Sequence, residues 1–406
     1  MTPRLLLFAS TTGYQIRVFA DAARRIGVDL TLATDRCHVM EDPWGDRAVA
    51  VKFDRIAESV ESLRHLHFDA VAAVGDAPAV LAAAAAEELG LLFHPLAVAR
   101  VCHDKFLSRR AFQETGMLVP EFFRVPLASA PEEAATRAQY PCVLKPLGLS
   151  ASRGVIRAND EAEFRAGFRR IRAMLDAGGW LQVESYIPGR EFAIEGLVTN
   201  GELHPLAIFD KPDPLEGPFF EETIYLTPSR ESAAVQESLL DAARAAVRAL
   251  GLRHGPVHAE LRHNSQGAWM LEAAARPIGG LCARTLRFNG GMPLEELILR
   301  HALGRDVSGI RREEAASGVM MIPIPRDGVY LGVDGIESAR AVEGIEDVII
   351  TAQEGQRLIP LPEGSSYLGF IFARADSPAA AERALRQSHT MLHFRLATAL
   401  ETFPPI

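Results

Sequence analysis

Through the first hundred residues, short apolar runs alternate with amphipathic stretches. The runs at 5–9, 28–33 and 70–74 have the length of buried strands, whereas 16–26, 56–66 and 79–89 carry helical periodicity. Strands that alternate with helices predict a small parallel sheet with helices on its faces. From Asp104 the order changes. A helix at 106–115, a strand at 142–145, a Gly/Ser loop and a helix at 161–177 lead into strands at 180–185, 191–198 and 202–210. Asn200-Gly201 joins the last two and suits the left-handed positions of a tight hairpin. The proline-rich segment 211–229 reads as a long loop, a kind that is commonly functional. An alanine-rich helix and strands at 255–263 and 269–275 follow. Beyond residue 311 the expected elements are strands at 319–322, 348–351 and 369–373 and a terminal helix. The pattern predicts an α/β N-terminal domain (1–103), an α+β domain with antiparallel sheet (104–310) and a small C-terminal α+β domain (311–406).

With 406 residues the chain exceeds what one hydrophobic core usually supports, in keeping with several domains. Its 48% hydrophobic and 23% charged residues are ordinary for a folded globular protein. A net charge of −9 argues against broad attraction to nucleic acid or anionic lipid. No run approaches the ~18 apolar residues of a membrane span. The run at 5–9 is too short for a signal-peptide core, so a cytoplasmic location is expected. Cys37, Cys102, Cys142 and Cys282 form no CxxC pair and read as isolated core thiols. Ser10-Thr11-Thr12-Gly13-Tyr14 opens the first helix without the three glycines of a dinucleotide fingerprint. It reads as a strand-to-helix turn, with substrate contact as the second choice.

Chemistry enters with Glu260 and Glu272. If 264–268 is a five-residue hairpin loop, His263 pairs with Trp269 and Glu260 stands opposite Glu272. His258, Glu260, Arg262, Glu272 and Arg276 then share one face, and Val257, Ala259, Leu261, Trp269, Leu271 and Ala273 the other. Opposed carboxylates repel unless a cation sits between them, and hard oxygen donors select Mg²⁺ or Mn²⁺. A solvated polar face with two unrelated glutamates satisfies the spacing equally well. Lys145 ends an apolar strand beside a loop carrying Gly148, Ser150, Ser152 and Gly154, a place where a lysine and loop amides can meet a phosphate. An exposed lysine at a strand end is the competing reading.

Asp104-Lys105, Lys145 with its Gly/Ser loop, the stretch from Glu184 to Glu191, then Glu260 and the stretch from Glu272 to Arg276 together resemble the ATP-grasp superfamily across essentially the whole chain. The resemblance implies an ATP-dependent enzyme in which Lys105 and Lys145 neutralise the nucleotide phosphates. It makes Ser150, Ser152, Arg153 and Gly154 a flap over the triphosphate. Glu184, Tyr186 and Ile187 become the hinge at the adenine edge, and Glu191 the carboxylate for the ribose hydroxyls. Glu260 and Glu272 become ligands of Mg²⁺ or Mn²⁺. Arg276 becomes the arginine that stabilises the acyl phosphate and the tetrahedral intermediate. The third family ligand is usually an asparagine, but Ala274 stands there and cannot coordinate. The loop 210–222, with Glu222, together with His258, Glu195 and the Gly13 turn is the expected acceptor pocket, though a buried salt bridge explains Glu195 equally well; Gly279 and Gly280 either offer backbone amides to a substrate carboxylate or form a simple turn.

The tail, from Gly355 through Gly364-Ser365-Ser366-Tyr367-Leu368-Gly369 and the closing helix, resembles the C-terminal domain of L-amino acid ligases, which make dipeptides. The implied reaction is carboxylate–amine ligation of small molecules, amino acids or acids like them, through an acyl phosphate, releasing ADP and phosphate. A homodimer is the family-based expectation, and no nucleic-acid or membrane partner. Two alternatives stay open: a purine-pathway or bicarbonate-using enzyme of the superfamily, and an ATP-binding module with reduced catalysis, for which Ala274 is the motive.

Overall fold

The computed structural model describes residues 2–10, 14–35, 47–175 and 178–398. Thr11, Thr12 and Gly13 of the first turn, Cys37, and the end of the helix expected to reach residue 177 lie outside the described residues. Cα proximity divides the chain into two compact units. The first holds Met1–Val119, Phe192–Ile208 and Glu231–Glu314, and the second Pro120–Glu191, Phe209–Arg230 and Ala315–Ile406.

In the first unit, four parallel strands lie in the order Ala48–Ala50, Asp29–Thr34, Arg4–Ala9, Ala70–Val74. Leu5, Leu6, Leu7 and Phe8 are fully buried, which is why this strand reads as a continuous apolar run rather than an alternation. The helix Asp76–Leu89 is buried without a break from Pro78 to Ala86, since alanines let neighbours approach on every side. A second core lies under the helix Ala233–Leu250. Ser232 caps that helix at Val235 N–H, and Leu239, Ala243, Ala246, Val247 and Leu250 form its inner face. They pack with Phe192, Ile194, Val257 and Ala259, and burying Leu239 alone contributes roughly 1.5–3 kcal/mol. The hairpin at Asn200-Gly201 forms as expected, with φ of 53° and 89° at its two turn residues.

In the second unit, antiparallel strands run in the order Phe122–Pro126, Trp180–Ser185, Cys142–Pro146, Ile156–Ala158. The helix Glu161–Met174 covers them. Asp160 caps it at Glu163 N–H, and Phe164, Gly167, Phe168 and Ile171 form the stripe that meets the sheet. A second antiparallel set, Ile224–Thr227, Ala316–Ile322, Gly369–Ala375 and Ile345–Ile350, packs against the helix Pro378–Thr390 through Ala381, Ala384 and Leu385.

Two expectations need correction. Segment 211–229 is not all loop, because Ile224–Thr227 is a strand paired along its length with Ala316–Ile322. All four of its residues are buried, so no alternation marks it. The closing helix is not the last element either. His393–Ala397 follows it and pairs with Gly328–Asp334, and neither strand was expected. Among the described residues, no helix is long and apolar enough to cross a membrane.

Candidate active site

The carboxylate hairpin of the first unit, Gly255–Asn264 with Gly267–Ala274, departs from expectation at its tip. The turn has two residues, and Asn264 pairs with Gly267, His263 with Ala268, Arg262 with Trp269, and Leu261 with Met270. The five-residue loop and the His263–Trp269 pair are therefore wrong. Asn264 favours the short turn, since its Oδ1 accepts from Gln266 N–H at 2.9 Å and from Trp269 Nε1 at 3.1 Å. That register, continued, would set Glu260 against Leu271. A bulge between Glu260 and Leu261 absorbs one residue, and Glu260 stands opposite Glu272 after all. The apolar face changes accordingly: Met270, Ala273 and Ala275 line the core, and neither Trp269 nor Leu271 does.

Asp104 caps the helix Lys105–Glu114, accepting from Phe106 N–H at 2.9 Å and Leu107 N–H at 3.0 Å. Lys105 is thereby fixed as its first residue, and its Nζ lies 3.4 Å from Glu272. His258 Nδ1 is hydrogen-bonded to the buried Glu195 carboxylate, whose other oxygen accepts from Ile278 N–H at 3.1 Å. His258 Nε2 lies 3.4 Å from Glu260. Burial opposes a charge on His258, but the Glu195 carboxylate overrides it and, with Glu260, raises the imidazole to about 9. Ala274 is buried and sits opposite His258 in the ladder.

Arg276 carries a partner that the sequence did not announce. Its Nε donates to Asp76 Oδ1 at 2.8 Å, with Nη2 at 3.5 Å from Oδ2. Burial alone would push the Asp76 carboxyl up, yet the Arg276 guanidinium holds it below the usual range. Burial likewise opposes the charge on Arg276, and Asp76 more than restores it. In sequence Asp76 is an ordinary first-turn acid. The available signal was its place directly after Ala70–Val74, at the carboxyl end of a parallel strand, where open α/β sheets gather ligand groups. Gly279 and Gly280 are exposed, and Gln15 donates to the carbonyls of Ile278, at 3.3 Å, and of Gly280.

The second unit holds the other expected residues. Lys145 Nζ lies 2.7 Å from Glu184, which is 2% exposed and also accepts from Gln182 Nε2 at 2.6 Å. Tyr186 N–H bonds Pro141 O at 3.0 Å, its ring lies 4.1 Å from the Arg157 guanidinium carbon, and Ile187 is buried. In the Gly/Ser loop Ser150 is exposed, Ser152 and Arg153 are half-buried and Gly154 is buried. Glu191 and Glu222 meet on the buried Lys211: its Nζ donates to Glu191 at 2.9 Å and also to Glu222, which accepts from Tyr225 Oη at 2.9 Å. Lys211 was expected to open the long, functional segment, and it instead ends the strand Glu202–Lys211.

Comparison with known proteins gives this geometry its context. A model of the ATP-grasp domain matches residues 138–285, and one of the L-amino acid ligase C-terminal domain 2 matches residues 320–397. The chain thus contains an ATP-grasp domain followed by an L-amino acid ligase C-terminal domain. It superposes on the L-amino acid ligase from Bacillus licheniformis with a TM-score of 0.82 and 25% identity, covering 98% of this chain and 99% of that one. It is 27% identical over 241 residues to alanine–anticapsin ligase of Bacillus subtilis strain 168, covering 53% of this chain and 50% of that protein. N5-carboxyaminoimidazole synthase from Aspergillus clavatus shares the fold at 17% identity and a TM-score of 0.73, covering 96% and 98% of the two chains. The chain spans 50% to 60% of the length of the first curated relatives it matches.

Proposed function

We propose that this protein joins the carboxylate of one amino acid, or of a similar small acid, to the amine of another at the expense of ATP. The carboxylate oxygen attacks the γ-phosphorus and ADP leaves. The amine nitrogen then attacks the acyl carbon, phosphate departs, and the nitrogen loses a proton. The observation that carries this reading is the opposed pair Glu260 and Glu272 with Lys105 beside it, in a chain whose tail matches an L-amino acid ligase domain. Two carboxylates held face to face are a hard-oxygen donor set that fits Mg²⁺ or Mn²⁺. When bound, the cation supplies charge neutralisation to the phosphates.

The chain's own groups do the remaining work. Lys105 and Lys145 exchange their carboxylate partners for phosphate oxygens, with Ser150, Ser152, Arg153 and Gly154 covering them. Glu184, Tyr186 and Ile187 face the adenine and Glu191 the ribose. Gln182 supports a nucleotide here, because its Oε1 is buried without a protein hydrogen-bond partner and suits a donor such as the adenine amino group. Arg276, held by Asp76, stabilises the negative charge that grows on the acyl oxygen. Glu195, His258, Glu222, Gly279 and Gly280 shape the amine pocket. The proposed domain limits stay at 103 and 310, and the buried thiols Cys102, Cys142 and Cys282, none of them in a disulfide, suit a cytoplasmic setting.

The test is phosphate release screened over pairs of amino acids with Mg-ATP, followed by mass spectrometry of the product. A dipeptide-like mass with stoichiometric ADP is the expected result. Turnover with a ribotide or bicarbonate and with no amino-acid pair would refute it.

A further inference from the structure

The Gly/Ser loop is an improbable piece of backbone on its own. Ala151 and Ser152 are consecutive non-glycine residues in the left-handed region, with φ of 54° and 55°, where an L side chain crowds its own carbonyl. Within the loop, Arg153 N–H bonds Ser150 O at 3.2 Å and Val155 N–H bonds Ser152 O at 3.1 Å. Gly154 has φ of 71°, and a Cβ there would come within 2.7 Å of Pro146 Cγ. Such a conformation persists only where its surroundings over-determine it.

What over-determines it comes from the tail of the chain. Pro362 O accepts from Gly154 N–H at 2.8 Å, and the neighbouring Glu363 O accepts from Arg153 Nε at 2.9 Å. The Glu363 carboxylate in turn grips Arg170 two-pronged, at 2.5 Å to Nε and 2.8 Å to Nη2. Arg170 stands on the helix Glu161–Met174, whose Met174 approaches Gly154, and its guanidinium lies 5.0 Å from the centre of the Phe219 ring. The hydrogen bond from Arg170 holds the Glu363 carboxyl below its ordinary range, so the grip is ionic at neutral pH.

We infer that Glu363, fastened by Arg170, is a positioning residue for the flap: its segment fixes Gly154 and the guanidinium plane of Arg153, and so gives the C-terminal domain a part in nucleotide binding. The second half of this inference rests on the proposed function, because only that reading directs the loop at a triphosphate. The first half does not. A two-pronged carboxylate–guanidinium contact fixes orientation as well as distance, so a weaker partner should loosen the loop without unfolding the sheet beneath it.

The experiment uses the full chain with Glu363→Ala, Glu363→Asp and the exchange Arg170→Glu/Glu363→Arg. Amide hydrogen exchange over 147–155 in nucleotide-free protein should quicken about tenfold in Glu363→Ala, and about half of that should be recovered on a logarithmic scale in the exchange variant. Steady-state kinetics should show KM for ATP raised about tenfold, with kcat and the KM of both amino acids within about twofold. Unchanged exchange at 147–155 in Glu363→Ala would overturn the inference outright. Faster exchange with an unchanged KM for ATP would overturn the nucleotide-binding half. If wild-type protein neither binds nor turns over ATP, the proposed function falls, while the exchange data still decide whether Glu363 holds the loop. Should Glu363→Ala misfold, Glu363→Asp carries the same comparison, with a smaller expected shift.

Discussion

Neutralising one member of the carboxylate pair should separate function from stability. In Glu260→Gln the side-chain shape is kept and a single charge is removed from a face where Glu272 lies directly across the ladder. Cross-strand like charges cost about 0.2–1 kcal/mol, and the hydrogen bond to His258 that the variant weakens is long, at 3.4 Å. Lys105 keeps its partner Glu272 at 3.4 Å. The relieved repulsion is offset by weaker attraction to the charged His258 and Arg276, so the ligand-free variant should stay within about 1 kcal/mol of wild type, which at about 2–4 °C per kcal/mol moves the unfolding midpoint by a few degrees at most. Activity should fall much further. Removing a metal ligand forfeits several kcal/mol of transition-state stabilisation, or about 10²–10⁴ in rate. A coupled ADP-release assay, with thermal unfolding run with and without Mg-ATP, reads both effects, and the stabilisation by Mg-ATP should disappear. Glu272→Ala should likewise abolish ADP release in a folded protein. Sustained turnover in either variant, or a midpoint in Glu260→Gln lower by more than about 5 °C, would refute the assignment and make the pair a structural element.

Asp76→Ala should destabilise the first unit by about 1.5–3 kcal/mol, since it removes the hydrogen-bonded partner of the half-buried Arg276 and leaves only the Glu272 and Glu260 charges to offset it, and should lower kcat; urea unfolding and ADP release check the two effects. The buried ring of His94 is held down to about 4 and that of His301 to about 3, both chiefly by burial. Between pH 6.5 and those values the unfolded chain takes up protons that the folded rings refuse, so this stability is complete above pH 6.5 and declines as pH falls. The decline is roughly 2 kcal/mol for each ring by pH 5, and equal urea midpoints at pH 7 and pH 5 would contradict it. Burial pushes the thiols of Cys102 and Cys142 up to about 12, so neither should be alkylated by iodoacetamide at pH 8 in native protein, and both should be once it is unfolded; peptide mapping reads the outcome.

How far the sequence could be read depends on the element. The parallel strands and the Asn200-Gly201 hairpin were legible because burial and turn geometry are written into adjacent residues. The carboxylate pair was legible for a less secure reason. An odd number of residues separates Glu260 from Glu272, which suits an odd loop or an even turn with one bulge, and nothing local distinguishes the two. Only the packing of Met270 and the bonds of Asn264 select the second. Ile224–Thr227 was missed because a four-residue strand buried on both faces has no alternation to display. Asp76 was missed, and the ion pairs of Lys211 went unforeseen, because the partners that define them are distant in sequence, 200 residues away for Arg276 and 20 for Glu191.

The pairing of Lys105 with Glu272 has a consequence for how an anion enters. A cation that already owns an internal counter-ion does not draw salt from solution. On the proposed function, the incoming phosphate displaces Glu272 from Lys105, and the freed carboxylate meets the metal that travels with the nucleotide. The protein then acts as an ion exchanger with its own fixed charges, swapping one neutral arrangement for another. Mg-ATP affinity should accordingly fall far less steeply with ionic strength than it does at a site whose bare lysines must first shed bound anions.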